Sequence, residues 1–236
     1  MDSVKLDPKK FYPRLSKIHK YFINNFKNLD CLVFPRGKFI QNDTNCEQTK
    51  TSNLHEYILG YDFTESLIVI TKKRIIFFLA SKKFMLIENM LKPKEITLEI
   101  KLFLRNPNGN NEETLEKIFD LVIKDNNNEF NKMKIGMLNE KGIGNLINEF
   151  WNFLKTKENN YEIFYLPQIT NEFFIIKDNE ELENIKISSK FACTLLNYLN
   201  QKFENIIDNE KKISHFDICN DIKKISENSN FQKKFL

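Results

Sequence analysis

Two short β-rich runs on either side of a charged turn organise the middle of this 236-residue chain. The runs are Leu67 to Ile70 and Ile75 to Leu79, and the turn lies around Lys72-Lys73. Runs of this length and composition, joined by so short a connection, pair as an antiparallel hairpin. A helix is expected before them, starting at Thr51 or Ser52 and stopping at Gly60, and another after them, from about 82 to 91. The chain must therefore build a β-sheet that carries helices.

Helix and strand patterns alternate on both sides of this hairpin. The first helix starts at Asp7-Pro8, where a capping carboxylate precedes a proline at the first helical position. A buried-strand pattern follows at 31–34, and we interpret 37–50 as an irregular loop. Strands are then expected at 96–104, 134–138 and 161–166, with helices at 112–124 and 143–154. This alternation predicts the α/β class, with a mixed β-sheet flanked by helices.

The pattern becomes purely helical after Pro167. One helix is expected to end near Ile176, a long amphipathic helix follows Asp178, and a last helix starts at the capping box of Ser214 and Asp217. We therefore assign residues 1–176 to an N-terminal α/β lobe and residues 177–236 to a second, helical part. This second part is too small to bury the apolar faces of its helices by itself.

Charge and composition argue against two classes of partner. The net charge is +4, from 36 basic and 32 acidic residues that are interspersed along the chain, and only four residues are arginine. A protein that reads a nucleic-acid sequence concentrates Lys and Arg on one face, so we expect no direct sequence-specific nucleic-acid partner. The chain has no run of about 18 uncharged apolar residues, so we expect no membrane partner.

The reactive side chains point to no catalytic residue, no metal site and no cofactor. The four cysteines form no C-x-x-C pair and are interpreted as reduced, mostly buried thiols. The residues that come nearest to the pattern of a metal site are His215, Asp217 and Asp221. Only the two aspartates share a helical face. We interpret those three residues as an ordinary helix start, and His19 as a surface residue of the first helix.

The segment Tyr57-Ile58-Leu59-Gly60-Tyr61 is similar to the Y-L-x-G-F element in the N-terminal domains of the creatinase, prolidase and aminopeptidase P family. Those enzymes usually follow the hairpin with a D-x-R-Y segment, whereas this chain has Ala80-Ser81-Lys82-Lys83-Phe84. The combination of L-G-Y-D-F-T with I-F-F-x-A-S-K-K resembles the N-terminal region of the large subunit of the FACT histone chaperone, a family of peptidase-like shape without peptidase activity. The abundance of Lys, Asn, Ile and Phe suits an AT-rich eukaryotic genome.

The resemblance implies both an architecture and a function. The architecture is a creatinase/prolidase-like N-terminal lobe followed by the first helices of a truncated pita-bread domain. The function is that of a pseudoenzyme: a non-catalytic histone-binding module of a FACT-type chaperone, acting in the nucleus on chromatin. Its processes are nucleosome reorganisation during transcription, DNA replication and DNA repair. The implied partners are core histones, with an HMG-box or small FACT subunit bound through regions outside this chain.

Lys82, Lys83 and His55 are the residues that we expect to contact a partner. The lysines occupy the place of the peptidase segment, and two cations at the start of a helix oppose the helix dipole. An acidic peptide or an intramolecular acidic group would suit them. His55 lies in the helix that is expected to stop at Gly60 and that carries the start of the Tyr57-Ile58-Leu59-Gly60-Tyr61 motif. The alternatives are a solvated first helical turn for the lysines and a packing position at the helix boundary for His55.

Two other functions remain open. The chain could be a fragment of a metal-dependent aminopeptidase P/creatinase-like hydrolase, in which case a longer sequence would carry five metal ligands. It could also be an interaction domain of a pseudoenzyme outside chromatin.

Overall fold

The computed structural model describes residues 6–38, 41–42, 45–46, 49–91, 98–126, 132–140 and 142–233 of the chain. Its helices are α1 (Pro8–Asn25), α2 (Lys50–Leu59), α3 (Ser81–Met90), α4 (Glu112–Asn126), α5 (Asn145–Thr156), α6 (Ile169–Ile175), α7 (Asn179–Asp208), α8 (His215–Glu227) and α9 (Ser229–Gln232). Its strands are β1 (Cys31–Arg36), β2 (Gln41–Asn42), β3 (Asn45–Cys46), β4 (Ser66–Thr71), β5 (Arg74–Ala80), β6 (Glu99–Arg105), β7 (Met133–Met137) and β8 (Tyr161–Tyr165). A 3₁₀ turn, Glu158–Asn160, precedes β8. None of the described helices combines the length and apolar composition that crossing a membrane requires.

Six strands form one mixed sheet in the order β6-β5-β4-β1-β7-β8. β4 is antiparallel to both of its neighbours, β1 and β5, whereas the pairs β5–β6, β1–β7 and β7–β8 are parallel. The predicted hairpin is confirmed, with Leu67 opposite Phe78 and Ile70 opposite Ile75. Because this hairpin reverses the direction of β4, the sheet is mixed. The predicted α/β class, a mixed sheet flanked by helices, is confirmed.

One face of the sheet packs against α1, α2, α3 and α6. Side chains alternate along a strand, so Ile68 and Ile70 of β4 point to this face. Helix α1 covers them with four buried side chains at spacings of three and four residues, Phe11, Leu15, Ile18 and Phe22. This helix begins where predicted, at the Asp7 carboxylate, which accepts a hydrogen bond from the Lys9 N–H at 2.9 Å.

The opposite face packs against α4 and α5. Leu67 and Val69 of β4 point to this side, because they alternate with the residues of the first face. The two helices cover them with apolar stripes, namely Leu115, Ile118, Phe119 and Val122 of α4 and Leu146, Phe150, Phe153 and Leu154 of α5. Each such burial stabilises the fold by about 1.5–3 kcal/mol relative to an exposed side chain. The lobe is therefore a three-layer α/β/α structure.

The chain divides into two compact units, Met1–Phe174 and Ile175–Leu236. In the second unit, α7 begins at a capping box of Asp178 and Glu181, and α8 begins at the predicted capping box of Ser214 and Asp217. Ile218 is the buried hydrophobic residue among those described in this unit. The division at 176/177 into a lobe and the start of a pita-bread domain stays a prediction.

Several local predictions are wrong or untested. Helix α2 begins at Lys50, because Thr49 caps it: the Thr49 Oγ1 accepts from the Ser52 N–H at 3.1 Å. The predicted irregular loop 37–50 contains β2 and β3, whose pairing is too short to leave a periodic pattern in the sequence. The predicted strand start at residue 96 lies outside the described residues.

Two predicted exposures also need correction. Cys31 is buried as expected, but Cys193 and Cys219 are exposed because they lie on helices of the second unit, so the thiols of the described cysteines are not mostly buried. His19 is half-buried rather than on the surface, since its Nε2 lies 3.0 Å from the Thr71 carbonyl oxygen at the end of β4.

Candidate partner-binding surface on helix α3

The motif at 57–61, which we call the signature segment, ends α2 and leads the chain into the hairpin. Gly60 adopts the left-handed conformation, with φ of 74°, and its N–H donates to the Glu56 carbonyl at 2.7 Å. Three residues earlier, the Tyr57 carbonyl accepts a hydrogen bond from the Arg14 guanidinium at 2.7 Å, and that guanidinium lies 4.5 Å from the centre of the Tyr57 ring. The first part of the motif therefore joins α2 to α1 inside the lobe.

A buried ion pair fixes the loop at 61–65, which follows Gly60 and which we call the signature loop. Arg36, the last residue of β1, donates from Nε to Asp62 Oδ1 at 2.8 Å and from Nη2 to Asp62 Oδ2 at 2.5 Å. The two side chains are 7% and 16% exposed. Two parallel bonds between a guanidinium and a carboxylate set orientation as well as distance. The loop is thus held against the carboxyl end of β1.

Lys83 is bound to the same loop. Its ammonium donates to the carbonyl oxygen and to Oγ1 of Thr64, and it lies 5.8 Å from the centre of the Phe63 ring. Burial lowers the pKa of Lys83, while the negative charges of Asp62 and Glu65 act in the opposite direction. The ammonium therefore binds the start of α3 to the signature loop. Because the Lys83 ammonium is used in this structural contact, it is poorly placed to bind a partner.

Lys82 differs from its neighbour because its side chain is exposed. Met85, three residues later, lies on the same side of α3 and is 53% exposed. We call Lys82 and Met85 the α3 surface. A cation in the first turn of a helix gains nothing from the helix dipole, so its position is not explained by the stability of α3.

His55 lies in the core of the lobe, with no exposed area. Its Nδ1 is 3.4 Å from Ser66 Oγ, and this hydroxyl in turn donates to the Phe63 carbonyl oxygen. Burial lowers the pKa of His55 to about 3, so the ring is neutral near pH 7. The predicted partner contact through His55 therefore needs revision: the ring has no surface to offer, and it packs where α2 meets β4. The structure does not bring His55, Lys82 and Lys83 together on one surface.

A second ion-pair cluster was missed from the sequence. Arg105, at the end of β6, is bound to Glu65 at 3.2 Å and to Glu149 of α5 at 3.2 Å, with its own side chain only 2% exposed. Glu65 also accepts the N–H of Leu146, in the first turn of α5, at 3.2 Å. Glu149 lies 44 positions from Arg105 in the sequence, so no local spacing signals the cluster. The one clue was an arginine that closes an apolar strand.

In the part of the chain that the structure describes, no three His, Cys, Asp or Glu side chains are grouped as a metal site would require. The three residues that most resembled a metal site in the sequence, His215, Asp217 and Asp221, have other roles or are exposed. Asp217 accepts the hydroxyl of Ser214 at 2.6 Å in the cap of α8, and Asp221 pairs with Lys202. His215, the first residue of α8, is exposed.

Comparison with known sequences identifies the family. The family described as the FACT complex subunit SPT16 N-terminal lobe domain matches residues 6–165, which is most of the chain and almost all of the lobe. The chain belongs to this family. The resemblance to the large subunit of the FACT complex is thereby confirmed.

Curated relatives extend the similarity beyond the lobe. FACT complex subunit SPT16 of Debaryomyces hansenii is 28% identical over 237 residues, which cover 99% of this chain and 22% of that protein. The protein of the same name from Zea mays is 26% identical over 181 residues, covering 74% of this chain and 17% of its own length. The chain therefore spans about a fifth of the length of the curated relatives it matches.

Solved structures of the family share the fold. The N-terminal domain of SPT16 from Eremothecium gossypii superposes with a TM-score of 0.77 at 23% identity, covering 98% of this chain and 52% of that one. The corresponding domain from chickpea, Cicer arietinum, has a TM-score of 0.72 at 21% identity, covering 94% and 51%. At these identities the likeness concerns the fold.

Proposed function

We propose that this chain is a non-catalytic histone-binding module of a FACT-type chaperone that acts in nucleosome reorganisation during transcription, replication and repair. The observation that carries the proposal is the family match over residues 6–165, together with relatives that are named as FACT complex subunit SPT16. The proposed location is the nucleus, on chromatin. Core histones are the proposed direct partners, and a small or HMG-box subunit of FACT would bind through regions outside this chain.

The non-catalytic part of the proposal is supported by the segment after the hairpin. Ala80 to Phe84 holds two lysines and lacks the aspartate and arginine that the peptidases place there. In this structure the second lysine is used to hold the signature loop through Thr64. The segment therefore holds the signature loop in place and leaves Lys82 exposed. It does not carry the aspartate and arginine of the peptidase segment.

The α3 surface is the proposed contact. Lys82 offers an exposed cation and Met85 an exposed flexible apolar side chain, a pairing that suits an acidic and partly apolar surface on a folded histone. An exposed ion pair contributes about 0.2–1 kcal/mol, so the contact would be one of several. Lys83 stabilises the position of α3 through its hydrogen bonds to Thr64.

The test is a fluorescence titration of the chain with labelled core-histone dimers and core-histone tetramers at two salt concentrations, with and without added divalent metal. Saturable, salt-sensitive and metal-independent binding is expected. Lys82→Glu should weaken it by roughly threefold to tenfold, since an attraction becomes a repulsion.

Lys124→Glu is the matched control, because Lys124 is an exposed lysine on α4, in the opposite helical layer of the lobe. It should leave the affinity unchanged. Equal affinities for Lys82→Glu and the parent chain would remove the α3 surface from the proposal. Absence of saturable binding to either histone complex would contradict the proposed function itself.

A further inference from the structure

The tetrapeptide Lys-Lys-Ile-Ser occurs twice in the second unit of the chain, once at 211–214 and once at 223–226. Both copies lie within the described residues, in different local structures. Two lysines placed three and two residues before a serine form a charge pattern of the type by which kinases choose their substrates. The two serines, Ser214 and Ser226, can therefore be compared as acceptors of a phosphoryl group.

The first copy lies in the connection between α7 and α8. Just after α7, Glu210 turns the chain in the left-handed conformation, with φ of 49°. The Lys211 N–H donates to the Ile206 carbonyl at 2.9 Å, which is one of the two bonds of a Schellman motif and closes the helix. The described residues 211–214 then belong to no helix or strand, and the backbone of Ser214 is extended, with φ of −80° and ψ of 156°.

The whole connection is exposed. Exposure extends without a break from 207 to 217, and it includes Ser214 and both lysines before it. The Lys211 ammonium bonds the Asn205 side chain at the end of α7, in an exposed contact that a carboxylate of an enzyme can replace with a stronger bond. Because the segment is extended and exposed, an enzyme can bind its backbone and side chains on both sides of the serine.

The second copy lies inside α8. Its serine, Ser226, is half-buried, and the hydroxyl donates to the Lys223 carbonyl at 2.8 Å. The Ser226 carbonyl accepts from the Gln232 side chain at 2.9 Å. An enzyme that binds an extended segment could reach this hydroxyl only after the last turn of α8 had opened, and local opening costs free energy. The same four residues are therefore accessible to a kinase in the connection and inaccessible in the helix.

We propose that Ser214 is a phosphorylation site, modified by a serine kinase whose own acidic groups bind the two lysines before it. The donor is a nucleoside triphosphate held by that kinase. The bond between Ser214 Oγ and the γ-phosphorus forms, the bond from the γ-phosphorus to the β–γ bridging oxygen breaks, and a nucleoside diphosphate leaves. The hydroxyl proton passes to the catalytic carboxylate of the kinase. This modification needs no histone and is therefore independent of the proposed function.

Phosphorylation of Ser214 changes the start of α8. In the unmodified chain the Ser214 hydroxyl donates to Asp217 Oδ2 at 2.6 Å, and the Asp217 N–H donates to Ser214 Oγ at 3.2 Å. The transfer removes the proton that Asp217 accepts, and it places about −1.5 to −2 charges beside that carboxylate near pH 7. The present capping box is thereby lost. Lys211 and Lys212 lie in the same connection and balance part of the added charge.

The test treats the full 236-residue chain with ATP and the catalytic subunit of cyclic-AMP-dependent protein kinase, which serves as a probe that prefers basic substrates. Mass spectrometry locates the phosphate and follows its rate of incorporation. Ser214 should be phosphorylated at least about tenfold faster than Ser226, because opening the last turn of α8 limits the second site. Ser214→Ala should abolish the faster incorporation, and Ser226→Ala should leave it unchanged.

The lysines of the second copy provide a matched control for those of the first. Lys211→Gln together with Lys212→Gln should slow phosphorylation of Ser214 roughly tenfold, because two charge contacts with the kinase are lost. Lys223→Gln together with Lys224→Gln should leave the rate at Ser214 unchanged. All four lysines are exposed, so neither pair of substitutions disturbs buried packing.

Two synthetic peptides, covering 208–218 and 220–230, separate the effect of sequence from that of structure. Peptides shorter than about 12–15 residues form helices only marginally in water, so their two Lys-Lys-Ile-Ser serines should react at rates within about threefold of each other. The proposal is overturned if Ser214 of the full chain is not phosphorylated, if Ser226 of the full chain reacts as fast, or if replacing Lys211 and Lys212 has no effect.

Discussion

The four arginines of the chain each bond a group from another element of the lobe. Their partners are the Tyr57 carbonyl for Arg14, Asp62 for Arg36, Asp125 for Arg74, and Glu65 with Glu149 for Arg105. A planar guanidinium that stays charged matches a carboxylate with two bonds, which suits it to partly buried ion pairs. The arginines are therefore committed to the fold, and an exposed lysine such as Lys82 is what remains to meet a partner.

At the residue scale, the buried His55 makes stability depend on pH. Histidine in an unfolded chain has an ordinary pKa near 6.5, whereas burial lowers the pKa of His55 to about 3, with the charge of Asp62 opposing the shift. Between these values the unfolded chain binds a proton that the folded chain does not. This residue should therefore cost the lobe about 1.4 kcal/mol of stability for each pH unit below about 6.5.

Urea unfolding followed by the fluorescence of Trp151, the one tryptophan of the chain, measures this effect from pH 7 down to about pH 4.5. His55→Asn keeps a polar atom near Ser66 but cannot titrate, so its stability should fall less steeply with acid than that of the parent. His215→Asn, at an exposed position of α8, should behave as the parent does. Identical slopes for His55→Asn and the parent would show that the ring is not buried as described.

At the scale of elements, local signals predicted most of the structure. The hairpin, the Asp7 start of α1, the Gly60 stop of α2 and the Ser214 cap of α8 were all predicted, because each depends on residues within one or two turns of chain. β2 and β3 were missed, since two residues leave no period. The cap at Thr49 was also missed, because Thr51 and Ser52 nearby have the same capping chemistry.

Gly60 offers a direct test of one such signal. A Cβ built at this position would meet no atom within 4 Å, so an added methyl group would cost only the backbone strain of a φ of 74°. Gly60→Ala should destabilise the lobe by about 1 kcal/mol, as measured by urea unfolding. Gly60→Asn should cost less, because asparagine tolerates the left-handed conformation. Equal and negligible losses would mean that the end of α2 can rearrange.

At the scale of the whole molecule, the two units differ in how much they bury. Every residue of β4 is buried, whereas α7 contains no buried residue along its 30 positions. Resistance to local opening grows with buried apolar area. The amides of β4 and β5 should therefore exchange with solvent most slowly, and those of α7 faster.

Mass-spectrometric hydrogen exchange on the intact chain measures this difference. The amides of β7, which lies within the same sheet, serve as an internal reference for the lobe. Exchange in α7 as slow as in β4 would show that its exposed apolar residues, such as Leu196 and Ile207, are covered in solution.

The sequence by itself determined the α/β class, the hairpin that makes the sheet mixed, most element boundaries and the family resemblance. These follow from hydrophobic period, caps, turns and motif residues, all of which are local. The tertiary structure alone decided which of the three suggested contact residues reaches solvent. His55 is buried, Lys83 is bound to Thr64 and Lys82 is exposed, because each outcome depends on atoms from elements that lie far apart along the chain. The strand order was decided in the same way: it places β6 and β8 outermost, and no local pattern in the sequence encodes that order.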